Sequence, residues 1–173
     1  MQALEYWKAV TSDHAGFLDG LLRLLDDSGV RYCLIGGQAV NAYAEPVVSL
    51  DLDIAVAIAD LVRTQLLLEE HFAVTSFPHS LNVSAPGSDL RVQIQTDPRY
   101  GTFVERAERR TVLGLVLPVA SIEDVLQGKS WAALDPGRRP SKRQKDLADI
   151  ARLIESRPDL RSRVPPELLA RLI

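Results

Sequence analysis

Two carboxylates and two glycines are the residues of this chain best spaced for chemistry. The run Leu34-Ile35-Gly36-Gly37-Gln38-Ala39 ends an apolar stretch in paired glycines. Thirteen residues intervene between Gly37 and Asp51, where Asp51-Leu52-Asp53-Ile54-Ala55-Val56 opens with carboxylates at i and i+2. On a strand those two side chains share a face, because strand side chains alternate with period two. Paired carboxylates repel unless a cation neutralises them, and a hard divalent ion such as Mg²⁺ prefers such oxygen ligands and commonly brings phosphates with it. A glycine turn ahead of a helix lets backbone N–H groups approach an anion closely. Each feature has a plainer reading: a tight strand-to-helix turn for Gly36-Gly37, and a solvated strand face for Asp51 and Asp53.

The elements that must carry these residues alternate between helix and strand. Cap-type Ser12 and Asp13 precede Phe17, Leu18, Leu21, Leu22, Leu24 and Leu25 at helical spacing, and Ser28-Gly29 ends that pattern. Arg31 to Ile35 reads as a buried strand, Gln38 to Ala44 as a short helix ended by Glu45-Pro46, and Leu50 to Ile58 as a second strand. Asp60 is placed to cap a helix through Leu61, Leu66, Leu67 and Leu68. Period-two runs follow at residues 72–75, 80–83 and 90–95, with a turn at 85–88. Arg109 to Leu117 is strand-like, with a bend or turn at Gly114. Ser121, three residues before Asp124, starts a helix to about Leu134, and a last main helix spans about Ser141 to Glu155. Pro158, Pro165 and Pro166 punctuate a short tail. The pattern predicts a single domain over residues 1–173 of the α/β or α+β class. Its sheet-containing core occupies about residues 12–117, and its C-terminal helical portion about 121–173.

Composition narrows the partners. The 173 residues are 46% hydrophobic and 25% charged with a net charge of −3, the balance of an ordinary soluble globular protein. No overall basic character marks a nucleic-acid binder, so any such contact must come from a local patch. The densest patch is Arg138, Arg139, Lys142, Arg143 and Lys145, suited to steering a triphosphate or an RNA backbone, or simply a solvated loop. No aromatic residues interleave with it, so base stacking is not indicated. The one cysteine, Cys33, sits in an apolar run and reads as a buried structural thiol. His14, His71 and His79 show no metal-ligand spacing, and Trp131 reads as a core residue. The N-terminus lacks a signal-peptide layout, and no apolar run approaches the roughly 18 residues of a membrane span. The expectation is a cytoplasmic protein without membrane contact.

Taken together, the order strand, Gly-Gly, helix, strand, Asp-x-Asp resembles the polymerase-β-type nucleotidyltransferase superfamily, and within it the AbiEii-toxin-like small nucleotidyltransferases. The resemblance covers most of the chain and implies a nucleotidyltransferase-like mixed β-sheet flanked by helices. It implies that Asp51 and Asp53 bind Mg²⁺ and that Gly36 and Gly37 take the phosphates of a nucleoside triphosphate. It extends to Lys129, on one helix, and to Lys145-Asp146 at the start of the next. Lys129 would then contact the triphosphate and Asp146 would complete the catalytic set. Asp149 is expected to fix a neighbouring Lys or Arg, since Asp146 and Asp149 are not expected both to face Lys129 fully.

Three positions depart from that pattern. Gln93, in Leu90-Arg91-Val92-Gln93-Ile94-Gln95, stands where the superfamily commonly has a third carboxylate, and a neutral amide is a poorer Mg²⁺ ligand. Asp89 shares its strand parity but would lie about 13 Å away along a strand, too far to replace it. Ahead of the acidic pair, Val47-Val48-Ser49 offers the Ser49 hydroxyl but lacks the arginine of related toxins. Gly37 replaces a serine found in many active members.

The reading is therefore an Mg²⁺-dependent nucleotidyltransferase that moves a nucleoside monophosphate from a triphosphate to an acceptor hydroxyl on RNA, protein or a small molecule. It would be a toxin–antitoxin component with an antitoxin-type protein partner. The alternative is a catalytically degenerate relative that binds nucleotide or a protein partner. A generic α/β protein whose motifs coincide by chance is the remaining reading.

Overall fold

The computed structural model of the chain describes residues 16–172 together with Glu5. The predicted cap residues Ser12 and Asp13, and His14, lie outside the described residues. Helix α1 (Phe17–Asp27) buries Phe17, Leu18, Leu21, Leu22 and Leu25 on one stripe. It ends where the sequence indicates: Gly29 has φ +64°, and the Val30 N–H reaches back to the Leu25 carbonyl. Strand β1 (Tyr32–Ile35) is buried along its whole length and runs directly into helix α2 (Gly36–Asn41). That helix starts at the glycines themselves and ends earlier than the predicted Ala44.

Strand β2 (Asp51–Val56) carries the acidic pair. The predicted strand continues to Ile58, but a 3₁₀ turn at Ile58–Asp60 replaces its end. Helix α3 (Leu61–His71) follows. Asp60 does not cap it. The carboxylate instead accepts from the Arg31 backbone N–H, the Arg31 guanidinium and Arg63, which ties the entry of β1 to α3. Strands β3 (Ala73–Phe77), β4 (Ser80–Ser84) and β5 (Arg91–Gln95) come next. A short helical turn α4 (Pro98–Gly101) and a 3₁₀ turn at Thr102–Arg106 then bury Tyr100 and Phe103. The strand-like stretch with a bend or turn at Gly114 is a hairpin that turns there, β6 (Glu108–Val112) and β7 (Leu115–Val119). Its two-residue turn, Leu113-Gly114, has φ of +57° and +78°, the left-handed pair that hairpins of this length use.

The described residues form one seven-stranded sheet in the order β3-β4-β5-β2-β1-β7-β6. It is mixed: β1 with β7 and β2 with β5 are parallel, and the other neighbours are antiparallel. The central strands bury Leu34, Leu52, Ile54 and Ile94 almost completely, each contributing roughly 1.5–3 kcal/mol of hydrophobic stabilisation.

Helix α5 (Ile122–Leu134) is capped by Ser121, whose hydroxyl accepts from the Asp124 N–H. Helix α6 (Pro140–Ser156) packs along it, and α2 contacts both. A 3₁₀ turn (Pro158–Arg163) and α7 (Pro166–Leu169) close the chain, burying Leu160 and Leu168. No described helix is long and apolar enough to cross a membrane. This α+β arrangement puts the end of β1, the start of β2, and helices α5 and α6 around one cleft.

Candidate active site

The cleft is built on strand register. Asp51 and Asp53 alternate with buried Leu52 and Ile54, so both carboxylates leave the sheet on one face. On the parallel neighbour β5, Asp53 pairs with Gln93 and Asp51 pairs with Arg91. Gln93 therefore occupies the strand position beside Asp53, the place that the resemblance assigned to it. Asp89 precedes β5 and lines none of the cavities that meet at Asp53.

The two glycines divide their tasks. Gly36 has φ +68°, and a Cβ built there would stand 2.2 Å from the Asp53 Oδ2. Its missing side chain is what lets the Asp53 carboxylate lie against the start of α2. A Cβ on Gly37 would meet nothing within 4 Å, so Gly37 leaves backbone exposed to the cleft. The two glycines thus differ in structure: Gly36 makes room for Asp53, and Gly37 keeps its backbone open.

Asp53 lines two neighbouring cavities of about 120 Å³ and about 150 Å³. Both are also lined by Gln93, Lys129, Arg138 and Asp146. The larger is strongly charged and adds Gly37, Ser49, Asp51, Lys142, Lys145 and Arg152. The smaller adds Gly36, Gln95 and the Tyr100 and Phe103 rings. Every candidate residue drawn from the sequence, Gly36, Gly37, Ser49, Asp51, Asp53, Lys129, Lys145 and Asp146, lies on this cleft. Ser49 also closes the start of β2, its hydroxyl accepting from the Asp51 N–H.

Helices α5 and α6 supply a buried charge network. The Lys129 ammonium lies 3.1 Å from Asp146 Oδ1 and 2.8 Å from Asp149 Oδ2. Both carboxylates face it, against the expectation that they could not. Lys129 arrives from a different helix, so it reaches the groove between side chains one turn apart. Asp146 is 1% exposed and also accepts two bonds from Arg138. Asp149 is shared with Arg152, in keeping with its expected hold on a neighbouring cation. Arg152 in turn donates to the Asn41 side chain and the Glu45 carbonyl. The loop ahead of the acidic pair, Val47-Val48-Ser49, carries no arginine, and Arg152 brings a guanidinium to the charged cavity from α6.

Electrostatics follow from this packing. Burial pushes the Asp53 carboxyl up to about 6; Lys129 opposes that rise, Asp51 adds to it, and Arg138 and Lys142 oppose it. Burial alone would lower the Lys129 ammonium, but Asp149 and Asp146 outweigh it and hold Lys129 above its ordinary value. Lys129 is thus a fixed cation. Asp51 is paired with Arg91 at 2.8 Å and Lys142 at 3.5 Å.

Among the described residues no group of three or more His, Cys, Asp or Glu side chains is placed to hold a metal ion. Two carboxylates and the Gln93 amide remain. Their hard oxygen atoms fit a Mg²⁺ ion that keeps waters or phosphates as its other ligands.

Several residues of the cleft carry no local sequence signal. Gln95 and Tyr100 enter from the end of β5 and from α4, and Arg152 enters from α6, where it pairs with Asp149. Of the basic run, Lys142 and Lys145 line the cleft and Arg138 is locked to Asp146, whereas Arg143 donates to the Ala133 and Asp135 carbonyls. His71 and His79 are exposed. Trp131 is half-buried, with its ring 5.7 Å from Phe103 and stacked on it, and Arg99 lies over it at 4.6 Å. Cys33 is fully buried.

A family model described as nucleotidyl transferase AbiEii toxin, Type IV TA system, matches residues 21–172. No curated protein sequence matches the chain. Among solved structures, the antibiotic-resistance factor ANT(2″)-Ia is similar at 15% identity and a TM-score of 0.57, over 84% of this chain and 90% of that one. The lincomycin-bound lincosamide antibiotic adenylyltransferase LnuA is similar at 15% identity and a TM-score of 0.53, over 79% and 95%. An antigenic nucleotidyltransferase-like protein from Paracoccidioides brasiliensis is similar at 21% identity and a TM-score of 0.51, over 88% and 92%. At these identities the likeness to the solved structures is one of fold.

Proposed function

We propose, from the premise that this chain belongs to the AbiEii nucleotidyl transferase toxin family, that its cleft transfers a nucleoside monophosphate from a nucleoside triphosphate to an acceptor hydroxyl. The observation that carries this reading is the meeting of Asp53, from the sheet, with Lys129, from α5, on the same two cavities. Asp51 and Asp53 are the residues that hold Mg²⁺. When bound, that ion neutralises phosphate charge and polarises the phosphoryl group under attack.

The chain's own groups do the rest. The Gly37 backbone, Ser49, Lys129, Lys145 and Arg152 line the charged cavity and take the triphosphate. Lys129 is buried and cannot be discharged near neutral pH, so it offers positive charge without reorganisation. Asp146 positions Lys129 and Arg138 rather than touching substrate. The acceptor oxygen forms a bond to the α-phosphorus, the bond from that phosphorus to the bridging oxygen breaks, and pyrophosphate leaves with the electron pair. The acceptor proton passes to solvent or to Asp53. Positioning and charge neutralisation supply most of the rate.

The acceptor classes are RNA, a protein side chain or a small molecule. The family supports reading the chain as a toxin with an antitoxin-type protein partner, acting in the cytoplasm where triphosphates are supplied. The test is transfer of α-labelled nucleotide to cell RNA, protein and small-molecule fractions. Label should move in the presence of Mg²⁺, and both Asp51→Ala and Asp53→Ala should abolish the transfer. Equal transfer by wild type and both variants would refute the site.

One observation favours a second reading, a relative that binds nucleotide without transferring it: Gln93, not a carboxylate, faces Asp53. Magnesium-dependent nucleotide binding without transfer to any fraction would establish it.

A further inference from the structure

Asp51 and Asp53 share a face two residues apart, yet they are neutralised differently. Asp53 forms no ion pair among the described residues and is raised by burial. Asp51 is held from two sides. Arg91, its register partner on β5, places Nε 2.8 Å from Oδ1. Lys142, from the first turn of α6, places Nζ 3.5 Å from Oδ2. Neither pair has the marks of a structural bridge. The Arg91 and Lys142 side chains are 65% and 38% exposed, and exposed pairs of this kind add little to stability. Each is long and flexible, so each can reach another anion nearby.

Their position gives them one. Lys142 lines both the charged cavity beside Gly37 and the neighbouring hollow along β4 and β5, and Arg91 lines the latter. Asp51 lines both as well. A cation occupying Asp51 must displace these two side chains or share the carboxylate with them. A triphosphate arriving with that cation supplies the anions they need.

We propose that Arg91 and Lys142 are exchangeable counter-ions of Asp51, which hold its charge in the absence of ligand and pass to the nucleotide's phosphates when a metal–triphosphate complex enters. The inference rests on the nucleotidyl-transfer reading of this cleft. Its consequence is an order of binding. Free divalent metal competes with two tethered cations and binds weakly, whereas the metal–nucleotide complex brings its own acceptors for them.

The experiment measures Mn²⁺ binding by electron paramagnetic resonance, with and without a non-hydrolysable triphosphate, for wild type, Lys142→Ala, Arg91→Ala and the double variant. Both substitutions are at exposed side chains, and circular dichroism checks the fold. Each single variant is expected to bind free Mn²⁺ about 1.5- to fivefold more tightly, the scale of one exposed ion pair, and the triphosphate complex less tightly. Unchanged or weaker free Mn²⁺ binding in the variants, with wild type still binding the complex, overturns the exchange but leaves the site intact. Failure of wild type to bind the complex, or binding indifferent to Asp51→Ala, overturns both.

Discussion

Asp53 on β2 and Gln93 on β5 stand directly opposite each other on parallel strands, and Asn82 on β4 stands opposite Gln93 in turn. Gln93 is exposed to the cleft, so a charge there is tolerated by the fold. Gln93→Glu adds a third carboxylate beside one already raised by burial. Without metal the variant should lose up to about 1 kcal/mol near neutral pH through like-charge repulsion. With Mg²⁺ it should gain more stability than wild type, and any transfer activity should rise. Thermal unfolding with and without Mg²⁺ checks the first two. An unchanged Mg²⁺ response would show that Gln93 does not face the ion.

The glycines should respond in opposite ways to the same substitution. Gly36→Ala forces a left-handed residue to carry a Cβ that meets the Asp53 carboxylate. The loss should be at least about 2 kcal/mol. Gly37→Ala meets open space in a helix and should change stability by less than about 1 kcal/mol. Urea unfolding of the two variants decides it. Equal losses would mean that the Gly36–Asp53 contact does not constrain the fold.

That asymmetry illustrates what a sequence can show. Gly36 and Gly37 are identical in type and adjacent, and their different roles arise from Asp53, on another strand. The alternation of Asp51 to Val56 and the leucine stripe of α1 were legible because local periodicity encodes burial. The tie from Arg152 to Asn41 spans 111 residues and leaves no periodic trace. The turns at 98–106 were silent for the same reason: Tyr100 and Phe103 are buried by α5 and Trp131, not by their own spacing. Gly114 reads as a bend or a turn, and the pairing of Glu108 with Val119 decides for the turn of a hairpin.

Cys33 should behave as an inert thiol. Burial, with Asp124 adding to it, pushes its titration up to about 12. A folded-state value above the unfolded one means that the neutral thiol stabilises the native protein. That contribution is complete below about pH 8.5, the unfolded value, and is lost as pH rises toward 12. Thiol-reactive probes at pH 8 should therefore label Cys33 only at the rate of unfolding. Alkaline destabilisation above pH 9 should be smaller in Cys33→Ala than in wild type. Rapid labelling of the native protein at pH 8 would contradict the buried placement.

Asp146 and Lys129 should prove energetically coupled. Asp146 is buried between Lys129 and Arg138, so Asp146→Asn removes the charge that compensates both. Breaking a buried pair from one side costs about 3–5 kcal/mol. Here Lys129 keeps Asp149 at 2.8 Å, so the loss should fall at or below the lower end, about 2–3 kcal/mol. Lys129→Met leaves Asp146 with Arg138 and Asp149 with Arg152, so it should cost less. The double variant removes one charge of each sign and should be more stable than the sum of the two losses predicts, by about 1 kcal/mol or more. Urea denaturation of the four proteins completes the cycle. Strict additivity would mean that Asp146 holds Arg138 alone, and the role of positioning Lys129 would pass to Asp149.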